Sequence, residues 1–360
     1  MNNQTENNAS IRYFNIYINL FYLIFGNIGN LLKVAFFLQE PLRSLPCTVY
    51  VLFSTCSDFI TLNNLPALQL LIHLYPNYHW IKVTVDWSNY RNQTMLISYS
   101  ASNYDIIICK VRSYLHLLST DISFQMLLFA SINRFCSSQR RKQRQTNHSY
   151  RFLRHFCDHP NVYKLCLIST IITAILSVQH VFNFTINSPS EGCVPYNRIL
   201  WVVWISSFHC FLLPILMILF GILTLRNVRY LTVFGDYFHR LQRYRNRRKY
   251  GFVQVCSSCS HCQNSIQYQI DRQLTLMIIT EIIVTIITSL PYGIYAFYNF
   301  LRTINRQTMI DTNQSVWIPL FIQMTMYFEP SCGFYIYLLT LTTLRKRFFK
   351  VIIDKIGFCY

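Results

Sequence analysis

The chain contains seven apolar stretches, each long enough to cross a bilayer as a single helix. A membrane-spanning helix needs about 20 mostly apolar residues. The stretches are Tyr13–Leu38, Pro46–Leu74, Ile106–Ser131, Val162–Ile186, Leu200–Leu225, Leu274–Phe300 and Val316–Leu341. The sequence therefore predicts an all-α fold, a bundle of seven transmembrane helices over residues 13–341. An N-terminal tail over residues 1–12 and a short amphipathic helix with a tail over residues 342–360 complete it.

The charges of the chain are few and unevenly placed. Charged residues make up 13% of the sequence, about half of the usual share in soluble proteins, yet the formal net charge is +18. The long apolar runs argue against a basic nucleic-acid-binding protein. With the N-terminus outside, 24 of the 32 Lys and Arg residues, Lys33 and Arg43 among them, fall on the inner side. The positive-inside rule then predicts an extracellular N-terminus and a cytoplasmic C-terminus in the plasma membrane.

Glycosylation sequons support the same orientation. Five lie in segments predicted to be outside, and one, Asn147, falls inside, where it is a chance match. Met1–Ser10 is polar, so we expect the first span to act as an uncleaved signal anchor. We predict glycosylation at Asn3, Asn8, Asn92, Asn183 and Asn313.

Several short motifs occur in the spans, in order and at characteristic spacing. In chain order they are Gly26-x-x-Gly29-Asn30, Ser57-Asp58, Cys109, Arg134, Pro214, Pro291 and Pro330. Cys109 opens the third span and Arg134 closes it 25 residues later. In these residues the chain resembles, over nearly its whole length, the rhodopsin-like (class A) family of G-protein-coupled receptors.

Three motifs depart from the family pattern. The Asp-Arg-Tyr triplet reads Asn133-Arg134-Phe135, and the Cys-Trp-x-Pro motif reads Thr288-Ser289-Leu290-Pro291. The Asn-Pro-x-x-Tyr motif reads Glu329-Pro330-Ser331-Cys332-Gly333. The chain thus resembles a divergent member, and a receptor-shaped protein that has lost signalling is an alternative.

The resemblance implies a switch that couples to a heterotrimeric G protein. Arg134 would meet the G protein, and Asp271 stands at the spacing of its acidic partner, so an Arg134–Asp271 pair would hold the bundle closed. The alternative is a snorkelling arginine and a solvated aspartate. The implied switch residues are Asn133, Arg134, Phe135, Asp271, Pro291 and Pro330. The resemblance also implies a disulfide between Cys109 and Cys193.

The ligand pocket implied by the resemblance lies among the outer halves of the spans. His116 stands where amine receptors carry an Asp, which argues against a monoamine, and the seventh span has no Lys for retinal. A peptide, as in neuropeptide receptors, or another ligand without an obligatory ammonium remains. The candidate lining residues are His116, Thr120, Phe208, Tyr292, Tyr295 and Gln323.

Asn30, Asp58, Ser123 and Glu329 match a pocket that resembles the family's sodium site. Two carboxylates in a low dielectric repel each other, so Asp58 and Glu329 should share a proton or bind a cation between them. Na⁺ bound between them is one of these two outcomes, and we expect no other cofactor. The alternative is that Glu329 is simply protonated and hydrogen-bonded.

The remaining sequence signals are weaker. Cys256-x-x-Cys259-x-His261-Cys262 has metal-like spacing but no second ligand pair, so free or acylated thiols are expected rather than zinc. Cys359 is a candidate for palmitoylation. The chain carries no catalytic constellation, so we do not expect an enzyme. The alternative function is a seven-helix ion channel or transporter with Asp58, Glu281 and Glu329 as pathway groups.

Overall fold

A computed structural model describes residues 2–40, 42–74, 103–142, 159–185, 194–195, 211–227, 259–304, 317–340 and 345. Within these ranges the chain forms seven α-helices and one 3₁₀ turn, Leu42–Ser44, between the first two. The helices are α1 Asn2–Phe37, α2 Pro46–Leu74, α3 Asn103–Lys142, α4 His159–Asn183, α5 Leu213–Asn227, α6 Cys259–Ile304 and α7 Trp317–Thr340. Two short strands, β1 Phe184–Thr185 and β2 Val194–Pro195, pair antiparallel.

Four of the described helices are long and apolar enough to cross a membrane. Their candidate spans are Tyr13–Phe37, Ile106–Gln139, Asn161–Asn183 and Gln273–Tyr295, in α1, α3, α4 and α6. The outward face of α4 is strongly apolar, since Ile168, Ile171, Ile172 and Ile175 are all exposed. Such a surface is typical of contact with lipid. The chain therefore has the character of a multi-pass membrane protein, while the seven spans stay a prediction because α2, α5 and α7 are not among the four.

Three helices extend well beyond the apolar stretches that predicted them. α1 begins eleven residues earlier, at Asn2, α3 continues eleven residues further, to Lys142, and α6 begins fifteen residues earlier, at Cys259. The added residues include neither Gly nor Pro, so nothing in them stops a helix. The predicted boundary between the tail of residues 1–12 and the bundle thus lies inside one continuous helix. By contrast, α2 begins and ends at the predicted residues.

The helices pack around a shared apolar core. α2 packs against α1 and α3, α4 packs on α3, and α7 packs against α6, α1 and α2. Fully buried side chains from five helices meet in this core: Phe37, Tyr50, Met126, Met217 and Met277. The strand pair contacts α3 and α4 through β1. The predicted amphipathic helix after the seventh span falls, except for Arg345, outside the described residues.

Candidate functional site

The inward face of α1 carries polar residues deep in the bundle. Asn19, Tyr22, Gly26, Asn30 and Lys33 are buried and follow one another at steps of three or four residues. That spacing places them on one stripe of the helix, while the neighbouring Ile24, Ile28 and Leu31 are exposed. The stripe brings the amide of Asn30 and the ammonium of Lys33 into the interior.

Lys33 connects α1 to three other helices. Its Nζ lies 2.8 Å from Glu281 Oε1 on α6 and 4.0 Å from Asp58 Oδ2 on α2. The same atom lies 5.4 Å from the centroid of the Tyr337 ring on α7, within the range of a cation–π interaction. Lys33 is only 2% exposed. A lysine buried to this degree is stable only because carboxylates compensate its charge.

Lys33 was predicted to be one of the basic residues on the inner side of the membrane, and the structure corrects this prediction. A lysine near the end of an apolar run normally extends along the helix to reach water. Here the inward stripe directs the side chain toward Asp58 and Glu281 instead. Lys33 therefore contributes nothing to the asymmetry of the surface charge.

Asp58 joins α2 to α3. Ser123 Oγ donates a hydrogen bond of 2.6 Å to Asp58 Oδ1, and Ser54 Oγ lies 2.9 Å from the same hydroxyl. All three residues are buried. Asp58 and Ser123 were predicted to belong to one pocket, and the structure brings these two side chains into direct contact.

The same helix pair is joined by two further polar contacts toward the end of α2. The hydroxyl groups of Thr61 and Ser119 lie 2.8 Å apart, and Asn64 Nδ2 donates to the carbonyl of Arg112 at 3.1 Å. Together with the Asp58 contacts they form a polar seam along α2 and α3. Because each contact removes polar atoms from an apolar setting, the seam fixes how the two helices align.

Glu329 completes a cluster of three buried carboxylates around one ammonium. It is 9% exposed and lies within electrostatic reach of Asp58, Glu281 and Lys33. Its Oε1, and Nδ2 of the buried Asn30, have no hydrogen-bond partner within the described ranges. The four residues predicted as a sodium-like pocket thus lie on the inward faces of α1, α2, α3 and α7. We call Lys33, Asp58, Glu281 and Glu329 the ion cluster.

The ion cluster does not fit a sodium ion between Asp58 and Glu329, which was one of the two outcomes predicted from the sequence. A metal cation between Asp58 and Glu329 would have to share these carboxylates with the Lys33 ammonium, 4.0 Å from Asp58 Oδ2. Two cations that share the same buried carboxylates repel each other strongly in a low dielectric. The chain supplies a positive charge of its own at this position.

Arg134 is buried within α3 rather than at its end. It is 6% exposed, and the helix continues for eight residues beyond it to Lys142. Its neighbour Asn133 is also buried, and the Phe135 ring packs on Phe220 of α5 with centroids 5.8 Å apart. The third helix therefore continues past the residue that was predicted to close the third span.

The predicted partner of Arg134 could not be placed. Asp271 belongs to α6, but its side chain is outside the part of the chain that the structure describes. The Arg134–Asp271 pair therefore stays a prediction.

The prolines that carried the resemblance all occur in helices. α6 runs through Pro291 and α7 through Pro330, while Pro214 is the second residue of α5. Near a helix start a proline removes no backbone hydrogen bond, whereas within a helix it does. Pro66 lies inside α2 and was not singled out from the sequence.

The predicted ligand-pocket residues are only partly described. His116 and Thr120 stand one turn apart on α3, and the Thr120 hydroxyl donates to the His116 carbonyl at 2.9 Å. Tyr292 and Tyr295 are partly buried on α6. Phe208 and the side chain of Gln323 fall outside the described residues. A pocket formed by these residues stays a prediction.

The predicted modification sites are described even less fully. Cys109 is fully buried on α3, and Cys193 lies outside the described ranges, directly before β2. Asn183 ends α4 and is partly buried, directly before β1. The side chains of Asn3 and Asn8 in α1, and the residues Asn92 and Asn313, are not described. The disulfide and the glycosylation sites stay predictions.

The thiol signals also stay predictions. Cys256 and Cys359 lie outside the described residues, and Cys259, His261 and Cys262 lie in the first turn of α6 with side chains that are not described. Among the side chains that the structure does describe, no group of three metal-binding residues occurs.

Lys33 is the one member of the ion cluster that sequence reasoning did not treat as a site residue. Two signals could have revealed it. Lys33 follows Asn30 by three residues, which places it on the same helix face, and Glu281 is an acid inside an apolar span that needs a partner. Pairing Lys33 with that acid would have predicted the contact.

Comparisons of the chain with protein-family models and with curated proteins find no match.

Proposed function

We propose that this chain is a divergent rhodopsin-like G-protein-coupled receptor of the plasma membrane, with seven spans, an extracellular N-terminus and a cytoplasmic C-terminus. It transmits the binding of an extracellular ligand, a peptide, to a heterotrimeric G protein, and it carries out no catalysis. His116 argues against an amine ligand, because a neutral imidazole cannot supply the negative charge of a carboxylate, and a peptide or another ligand without an obligatory ammonium remains.

The observation that carries the proposal is the 2.6 Å hydrogen bond from Ser123 to Asp58. Both residues were matched to the receptor family from sequence, on two separate spans. Their contact supports the match, because two residues assigned on separate spans meet where the resemblance implies a shared pocket. The burial of Arg134 on α3 is further support, because the family's arginine belongs to a switch within the bundle.

The proposed mechanism is a shift between a closed and an open bundle. The ligand binds near His116 and Thr120 and favours the open state by the difference between its affinities for the two states. Pro291 removes a backbone hydrogen bond within α6, which lowers the cost of bending this helix. Movement of α6 away from α3 would expose Arg134 to the G protein.

The test of the proposal is a peptide-library screen in cells that express the full chain and report activation of each Gα class. Active peptides are expected to give a response that Arg134→Ala abolishes at equal surface expression. The matched control is Lys164→Ala, because Lys164 is an exposed basic residue on α4 outside the switch. An undiminished response in Arg134→Ala would contradict the proposed role of this residue.

One observation favours a second candidate, an ion channel or transporter. Ionisable groups inside membrane spans often line transport pathways, and the ion cluster contains three carboxylates and a lysine from α1, α2, α6 and α7. A ligand-evoked current that persists when G proteins are blocked would favour this candidate and contradict the receptor. A response that requires the G protein would do the opposite.

A further inference from the structure

We infer that Lys33 is a built-in counter-ion, which takes the place of a metal cation in the bundle and makes the stability of the bundle independent of Na⁺. The inference goes beyond the proposed receptor function, because it concerns the electrostatics of the bundle and needs neither a ligand nor a G protein.

The first step is the geometry of the ammonium. Lys33 Nζ lies 2.8 Å from Glu281 Oε1, a direct hydrogen-bonded ion pair, and 4.0 Å from Asp58 Oδ2. Both partners are buried as deeply as Lys33 itself. A charged hydrogen bond in such a setting is strong because water does not compete for either group.

The ammonium of Lys33 also offsets the negative charge of the buried carboxylates. Without Lys33, the bundle would hold Asp58, Glu281 and Glu329 near one another with no basic group of the cluster between them. Buried carboxylates in that arrangement must take up protons or a cation. Lys33 provides this positive charge from within the chain.

The ammonium of Lys33 joins four helices. Lys33 belongs to α1, Asp58 to α2, Glu281 to α6, and the Tyr337 ring beneath the ammonium to α7. A bound metal ion can dissociate, whereas a lysine stays attached to α1. Separation of α6 from α1 must therefore break the Lys33–Glu281 contact, whatever the salt concentration.

The test uses the full chain purified in detergent, with thermal unfolding measured in NaCl and in choline chloride of equal ionic strength. The wild type is expected to melt at the same temperature in both salts. Lys33→Met should melt about 5 °C or more below the wild type, because it leaves buried carboxylates uncompensated. Its melting temperature should now be higher in NaCl than in choline chloride, because Na⁺ can enter the place of the ammonium.

Two further variants separate the charge from the shape of the side chains. Lys33→Met/Glu281→Gln should recover part of the lost stability, because one of the uncompensated carboxylates is neutral in it. Lys164→Met, which removes an exposed lysine of α4, should melt like the wild type in both salts. If Lys33→Met yields no folded protein, Glu281→Gln alone carries the test and should melt below the wild type.

Three results would overturn the inference. They are a wild type that NaCl stabilises and choline chloride does not, a Lys33→Met or Glu281→Gln variant as stable as the wild type, and a Lys33→Met variant that is indifferent to Na⁺. None of these results depends on signalling. A failed peptide screen would contradict the receptor function but not the role of Lys33 as a counter-ion. A wild type that Na⁺ stabilises would contradict the counter-ion but not the receptor function.

Discussion

Ser123 contacts two side chains of α2 at once, Asp58 through a 2.6 Å hydrogen bond and Ser54 at 2.9 Å. Some buried hydroxyl groups of α3, such as that of Ser119, also reach a neighbouring helix, whereas others bond within α3. The Ser131 hydroxyl, for example, donates to the carbonyl of Leu127 four residues earlier. Ser123 and Ser131 are both buried in α3. The hydrogen bond of Ser123 crosses to α2, whereas that of Ser131 stays within α3.

We predict that Ser123→Ala destabilises the protein and that Ser131→Ala does not. The first variant removes the donor to a buried carboxylate, which costs about 1.5–3 kcal/mol, and the second removes a bond for which the backbone acceptor has an α-helical donor already. The measurement is the melting temperature of the purified full chain. Equal melting temperatures for the two variants would show that the hydrogen bond from Ser123 to Asp58 does not stabilise the protein.

At the scale of single helices, α1 approaches α7 more closely than ordinary side chains would allow. A Cβ atom added at Gly26 would lie 3.0 Å from Ser331 Oγ and 3.1 Å from Ser331 Cα on α7, and 2.5 Å from Leu62 Cδ1 on α2. The contact is reinforced by Tyr22, whose hydroxyl donates to the carbonyl of Met324 at 3.0 Å. Small residues at such positions let membrane helices pack backbone to backbone.

We predict that Gly26→Ala lowers the melting temperature of the full chain, since an overpacked contact costs about 1–3 kcal/mol. Gly333→Ala on α7 is the matched control. A Cβ atom there meets nothing within 4 Å, so the helical preference of Ala over Gly should leave this variant as stable as the wild type or more so. A Gly26→Ala variant that matched Gly333→Ala would refute the close approach.

The helices also show how far the sequence determines the fold. The apolar stretches predicted the place of all seven described helices, and for α2 both ends. The ends of α1, α3 and α6 were misplaced because hydropathy reports where the hydrocarbon ends, whereas a helix ends where its backbone hydrogen bonds stop. Arg134 was placed at the end of α3 for the same reason.

The ion cluster shows where prediction of the site stopped. Asp58 and Ser123 could be paired from the resemblance, because both belong to its motifs. Lys33 and Glu281 belong to none of those motifs, and their contact joins residues 248 positions apart. No local pattern contains such a contact, so it follows only from the way α1 and α6 pack in three dimensions.

For the whole molecule, the decisive property is the proposed orientation in the membrane. The basic residues that remain after Lys33 is set aside still fall mainly on the side predicted to be cytoplasmic. Five of the six sequons fall on the other side. These two signals are physically independent, since one reflects membrane insertion and the other access to glycosylation enzymes.

We predict that the chain expressed in animal cells is N-glycosylated at its outer sequons. Treatment with an N-glycosidase should increase its gel mobility, and replacing all five predicted asparagines with Gln should abolish that increase. Asn147→Gln is the control and should leave the mobility change intact. A change that depended on Asn147 alone would reverse the proposed orientation.

The length of α6 has a mechanical consequence. This helix has 46 residues, and the part from Cys259 to Pro291 spans about 48 Å at the usual rise of 1.5 Å per residue. It can act as a lever whose pivot is the proline, because a tilt of about 10° there would displace Cys259 by about 8 Å. Glu281 lies ten residues from this pivot, so the same tilt would move it by only about 3 Å. A displacement just large enough to separate Glu281 from Lys33 would thus be about threefold larger at Cys259. The loss of one ion pair would then accompany a movement on the scale of a protein-binding cleft.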